Sequence, residues 1–185
     1  MSLTDPTVFN PFADVPERST GDNLLRTAQQ HHVQLSFLAD TKCNIIITVS
    51  SIVMTMALGR LGDVSLRASA ITLIVFSLLA LLTAILAVLP KFKPQRLQGD
   101  SLPPGFNLLF FAHFSTLDLD RFRTELARQM QSDGSAYDAM ARDLYALGCY
   151  LASHKYPYLR LSYLFFLSGF VIAAVVQVVM FTIHL

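Results

Sequence analysis

The stretch SAITLIVFSLLALLTAILAVL, Ser69 to Leu89, runs for about 21 residues without a single charge. A helix of that length spans the hydrocarbon core of a bilayer, and inside lipid only a helix or a closed barrel satisfies its own backbone. The run stops at Pro90, followed by Lys91, Lys93, Pro94 and Arg96. Proline does not continue a helix normally, and a basic cluster at the end of a span marks the cytosolic side. Two other runs have the same character. Cys43 to Gly59 is free of charge for about 17 residues, the short end of a span, and Leu161 to Leu185 for about 25. Composition agrees, with 53% hydrophobic residues and only 15% charged, where soluble domains carry about a quarter charged. The sequence therefore predicts an all-α membrane protein with about three transmembrane helices and a small cytosolic helical bundle.

The first span has an unusual start. LADTKCNIIITVSSIVMTMALGRL (Leu38 to Leu61) passes from Asp40 and Lys42 straight into apolar sequence, with no Gly or Pro between. Ser19, Thr20 and Asp22 are good N-caps, and nothing from there to Gly59 breaks a helix. One helix is expected from 20 through the span at 43–59, its 20–42 half cytosolic. Leu24, Ala28, His31, Leu35 and Leu38 mark an amphipathic face on that half. Residues 1–19 carry Pro6, Pro11 and Pro16, lack the pattern of a signal peptide, and read as a flexible arm.

GRLGDVSLRAS (Gly59 to Ser69) is a short polar connection to the second span, 69–90. A cytosolic loop, 91–106, leads to NLLFFAHF, which is apolar but too short to cross a membrane. Leu119, Phe122, Leu126 and Met130 fall on one helical face, and DGS at 133–135 is expected to end that helix. A second soluble helix with Tyr137, Met140, Leu144, Leu147 and Leu151 on its stripe runs to HKYPYLR. The cytosolic helical region is thus 107–160, and 161–185 is the third span. Pro157 either kinks the join or begins the membrane helix.

Basic residues set the orientation. Arg26, Lys42, Lys91, Lys93, Arg96, Lys155 and Arg160 share one side of a three-span topology, and Arg60 and Arg67 are on the other. The positive-inside rule puts the N-terminus in the cytosol. A net charge of +1 gives no basic field for nucleic acid. Cys43 and Cys149, far apart, fit neither a zinc motif nor a disulfide framework.

No nucleophile–base pattern, phosphate loop or zinc-protease motif is present, and neither an enzymatic activity nor a cofactor is expected. His31 and His32 are adjacent, about 100° apart on a helix, and so poorly placed to share a metal. The spans hold no carboxylate, lysine or arginine to serve as a proton relay. Thr48, Ser51 and Thr55 form a polar stripe on the first span, with Asn44 entering the same segment. Such a stripe lines a pore made by several copies, or hydrogen-bonds between helices or back to its own carbonyls. Tyr156, Tyr158 and Tyr163 fit an interfacial aromatic belt.

Ala39-Asp40-Thr41-Lys42, Asn107-Leu108-Leu109-Phe110-Phe111, and Leu151 through His154-Lys155-Tyr156, in this order and with this hydropathy, resemble the membrane effectors of Pycsar. Pycsar is the bacterial pyrimidine cyclase antiphage system, and the resemblance covers Leu24 to Val179. It implies a multi-pass protein of the bacterial inner membrane, paired with a pyrimidine cyclase. The effector would bind cyclic UMP or cyclic CMP and disrupt the bilayer, halting growth before phage mature. No recognisable cyclic-nucleotide-binding domain is present, so the candidate ligand contacts are taken from the motif positions. Lys42 and Lys155 supply positive charge, Asp40 and Asn107 hydrogen bonds, and Phe110, Phe111 and Tyr156 stacking surfaces. A homo-oligomer is expected because three spans do not enclose a pore, and Thr48, Ser51 and Thr55 are the candidate pore-facing residues. The competing reading is a membrane-anchored adaptor whose cytosolic bundle recruits a protein.

Overall fold

The computed structural model describes residues 20–90, 102–103 and 105–183. Of these, 84% are helical and none is in a strand. The expected arm at 1–19 and the basic cluster Lys91, Lys93 and Arg96 lie outside the described residues. Six α-helices follow in order: α1 (Thr20–Leu58), α2 (Arg67–Val88), α3 (Phe111–Phe114), α4 (Leu119–Gln129), α5 (Asp133–Tyr150) and α6 (Tyr156–Ile183). A π-helical turn, Leu151–Lys155, joins α5 to α6. Three of the helical runs are long and apolar enough to cross a membrane.

The helix α1 is unbroken for 39 residues, so the charged collar at Asp40 and Lys42 and the apolar run behind it belong to one rod. At about 1.5 Å per residue the rod is roughly 58 Å long. A second rod runs beside it. Asp133 to Ile183 is continuous for 51 residues, through the π turn. The helix α2 packs along α6 and along α1.

The apolar core lies in the membrane-spanning half. Ala39, Cys43 and Ile46 of α1 meet Ala80, Ala84 and Ala87 of α2 and Leu159 of α6. Most are small, which is how spans pack when lipid offers no hydrophobic drive for association. Gly169 of α6 shows how close the approach is: a Cβ there would lie 2.6 Å from the Phe76 Cβ of α2.

The structure departs from the sequence pattern at three places. The face of α1 that packs before the apolar run is not the whole Leu24–Leu38 stripe, of which only Ala28 and Leu35 are half-buried. Leu24 is 71% exposed and Leu38 50% exposed. Contact runs instead through Gln29, His32, Ser36 and Asp40, because α1 meets α5 through hydrogen bonds rather than apolar burial. Next, DGS at 133–135 begins a helix instead of ending one. Ser132 is the N-cap of α5, accepting from the Ser135 N–H at 3.2 Å, and α4 has already ended at Gln129. Finally, Pro157 neither breaks the rod nor caps it. Proline has no N–H for the carbonyl four residues back, Ser153, and its ring crowds that carbonyl. The chain widens by one residue just before it, so the Tyr156 N–H bonds to Leu151 O, five residues back.

Candidate functional site

The π turn determines where Lys155 points. The side chain leaves the rod at the wide turn and crosses to α1, where its Nζ donates to both carboxylate oxygens of Asp40, at 2.7 and 2.8 Å, and to Ser36 Oγ at 2.8 Å. Lys155 is 8% exposed. An ammonium so withdrawn from water requires a close counter-charge and full hydrogen bonding, and this one has both. The pair lies one turn before Cys43, where the apolar core begins, and ties the root of the first span to the root of the third.

About three turns further from the membrane, a second cluster joins three segments. Asp143 of α5 accepts from Gln29 Nε2 of α1 through one oxygen and from Asn107 Nδ2 through the other, both at 2.8 Å. Asn107 is itself well anchored. Its Oδ1 accepts from the Leu109 N–H at 2.9 Å, and its own N–H donates to His113 Nδ1 at 3.0 Å. His113 is therefore an acceptor at Nδ1, and burial lowers its pKa below the ordinary 6.5. Phe106 and Phe110 lie against its ring, with centroids 5.3 and 5.1 Å away. Phe106 and Leu108 are the buried residues of this segment.

Between the clusters, Gly148 lets α1 and α5 approach, with His32 Nε2 3.7 Å from where its Cβ would be. At the far end Tyr137 hydrogen-bonds Asp22 beside Gly21, which pushes the tyrosine pKa up. The α1–α5 seam is thus polar from Asp22 to Asp40.

The candidate residues are therefore divided among several places. Asp40 and Lys155 are in direct contact. Asn107 belongs to the Asp143 cluster, and the Phe110 and Phe111 rings lie beside it, tilted at 57° to each other with centroids 5.2 Å apart, Phe111 being 53% exposed. Lys42 is exposed, two residues round the helix from Asp40, and faces away from Lys155. Tyr156 follows Lys155 in sequence and is exposed. Thr48, Ser51 and Thr55 donate to the carbonyls of Asn44, Ile47 and Ser51 at 2.9, 2.7 and 2.9 Å. These are bonds back to the helix's own carbonyls.

A family model described as the Pycsar effector protein domain matches residues 23–182. The chain belongs to the Pycsar effector family. No curated protein and no solved structure matches it. The match spans the polar helices as well as all three apolar ones, so this Pycsar effector is a transmembrane antiphage effector and not a cyclase.

Sequence reasoning missed four residues that hold the polar half of the Pycsar effector together: Gln29, Ser36, His113 and Asp143. Gln29 and Ser36 do share a helical face with Asp40, at steps of seven and four, so a search for polar periodicity on α1 finds them. Asp143 had no such signal among the charges of α5. Among the described residues no group of three or more His, Cys, Asp or Glu is placed to hold a metal.

Proposed function

We propose that this Pycsar effector senses cyclic UMP or cyclic CMP made by a partner cyclase and then disrupts the bacterial inner membrane, arresting growth. The observation that carries the reading is the Lys155–Asp40 pair. A cyclic nucleotide is an anion, and Lys155 is a cation buried at the root of two spans and neutralised by an internal carboxylate. The nucleotide phosphate takes the place of Asp40 on Lys155, and the released carboxylate no longer ties α1 to the π turn. Tyr156 adjoins the phosphate position. Asn107, Phe110 and Phe111 reach the nucleotide when their segment leaves Asp143 and moves along α5, and Lys42 adds positive charge at the same level. The ligand favours the active state only as far as it binds that state better than the resting one, and breaking the internal pair in the resting state supplies that difference.

In the active assembly several copies come together with the N-terminus in the cytosol, and Thr48, Ser51 and Thr55 face the path of water. Dye release from liposomes holding the purified protein tests the reading, with cyclic UMP, cyclic CMP, cyclic AMP and no nucleotide compared. Release with a pyrimidine nucleotide alone is the expected result, and release indifferent to nucleotide refutes it. The double substitution Thr48→Leu and Ser51→Leu is expected to stop release while the protein remains in the membrane.

The adaptor reading draws on α4, whose Leu119 and neighbouring Met130 are exposed and whose N-cap Asp118 secures it at the cytosolic tip. Capture of a protein partner without nucleotide, together with no arrest on overexpression, would favour it.

A further inference from the structure

One face of α1 packs on the rest of the protein through Ala39, Cys43, Ile46, Ser50 and Ala57, all buried. Roughly opposite, at 100° per residue, lie Phe37, Thr41, Asn44, Thr48, Ser51 and Thr55. All are exposed except the half-buried Ser51. Their spacing alternates four and three, and Gln30 and Gln34 extend the line toward the cytosolic end. That alternation averages 3.5 residues, the repeat that keeps two helices in contact along one seam over many turns. A groove of about 440 Å³ runs along the edge of this strip, between Phe37, Thr41, Asn44 and Thr48 on one side and Ile45 and Val49 on the other.

Lipid does not call for such a strip. The flank beside it, Ile45, Val49 and Met56, is apolar and exposed, as a lipid-facing surface should be. The three hydroxyls satisfy their donors on α1's own carbonyls, which leaves their oxygens facing outward as acceptors. Asn44 differs, because its carboxamide makes no hydrogen bond among the described residues. A carboxamide at the start of a membrane span gains from a partner that gives and takes hydrogen bonds.

The strip's chemistry identifies the partner. It is wholly neutral, although Asp22, Arg26, Asp40 and Lys42 sit on the same helix. Its carboxamides both donate and accept, so they are complementary to themselves. Copies inserted in the same sense are related by a two-fold axis along the membrane normal, which sets like positions of parallel helices against each other.

We propose that two copies of this chain associate through a parallel α1–α1 seam made by Phe37, Thr41, Asn44, Thr48, Ser51 and Thr55, with the Asn44 carboxamides bonded across the two-fold axis. The inference rests on the membrane-effector reading and deepens it. The strip that faces water in the active assembly is closed copy-to-copy in the resting pair.

Cysteine cross-linking in native membranes, without nucleotide, tests the seam. The exposed Cys149 is first changed to Ser, and Cys43 stays because it is buried. Single variants Thr41→Cys, Thr48→Cys and Thr55→Cys on the strip are compared with Val49→Cys and Met56→Cys on the flank, with copper phenanthroline as oxidant. Disulfide dimers are expected at the three strip positions, at least fivefold above the two flank positions. Adding Asn44→Leu to Thr48→Cys is expected to cut its dimer yield several-fold. Equal cross-linking at all five sites, cross-linking on the flank alone, or none at all overturns the seam. Dye release by nucleotide is scored separately on the unmodified protein. A failed seam with intact release leaves the functional reading standing, and an intact seam without release does the reverse.

Discussion

Changing Asp40 to Ala leaves the Lys155 ammonium at the root of the third span with only Ser36 Oγ for a partner. Breaking a fully buried ion pair from one side costs about 3–5 kcal/mol. Here the Lys155 side chain is 9% exposed but that of Asp40 is 36% exposed, so water partly replaces the lost carboxylate. The expected cost falls to about 2 kcal/mol. In a chain of this size each kcal/mol lowers Tm by about 2–4 °C, so a drop of roughly 4–8 °C is expected in detergent without nucleotide. Asp40→Asn keeps an acceptor in place and should lose about half as much. Asp40→Ala combined with Lys155→Met removes both charges and should return close to the parent, since a missing pair is far less harmful than half of one. In liposomes Asp40→Ala should also leak without nucleotide, because the contact a ligand must break is already gone. A thermal-shift series with dye release on the same preparations measures both. If Asp40→Ala melts within about 1 °C of the parent and still leaks only on nucleotide addition, the pair is neither a structural tie nor a gate, and the reasoning fails.

Gly169→Ala places a Cβ 2.6 Å from the Phe76 Cβ, and the forced separation of α2 and α6 should cost about 1–3 kcal/mol, read as a lower Tm. Asp143→Ala strands Gln29 Nε2 and Asn107 Nδ2 together, and limited proteolysis should cut the segment before α3 several times faster than in the parent. The lowered pKa of His113 sets a sign for pH. Above about 6.5 it is neutral whether folded or unfolded. As pH falls through that value the unfolded chain takes up the proton first, so stability is lost on acidification and levels off below the folded pKa. The parent should therefore lose more Tm between pH 7 and pH 5 than His113→Gln does. Ser50 is fully buried and its hydroxyl has no partner among the described residues, so Ser50→Ala should leave Tm unchanged or raise it, by up to about 1 kcal/mol in stability. A marked loss would show that the hydroxyl is bonded.

How legible each part of this was depended on the kind of interaction that built it. The three spans follow from runs without charge, because lipid screens every residue of a span by one criterion. The single rod of α1 also follows, since nothing between Thr20 and Leu58 can break it. The packing face of the polar half of α1 does not follow. Apolar periodicity pointed to Leu24 and Leu38, and the helix turned instead on Gln29, Ser36 and Asp40, whose partners come from residues more than a hundred positions away. Polar pairing is specified at both ends at once, and one end alone carries no pattern. The same limit applies to the candidate site. Lys155 and Asp40 were each visible as charges at the membrane root, but their contact goes with a π turn beside Pro157, and without that extra residue Lys155 would lie about 100° away on its helix.

That dependence relates the turn to the proposed mechanism. A π turn holds one residue more than the α-helix around it, and it persists only where surrounding contacts hold it. Here the contacts are Lys155 to Asp40 on one side and the small-residue packing of α2 on α6 on the other. A ligand that takes Lys155 from Asp40 removes the first and leaves the second. The third span would then stay anchored to α2 while the π turn leaves α1, with Gln29–Asp143 and Asp22–Tyr137 still joining α1 to α5 further along. The two rods would come apart at the membrane root and nowhere else, and under the proposed function this is where the ligand has to act if the spans are to respond.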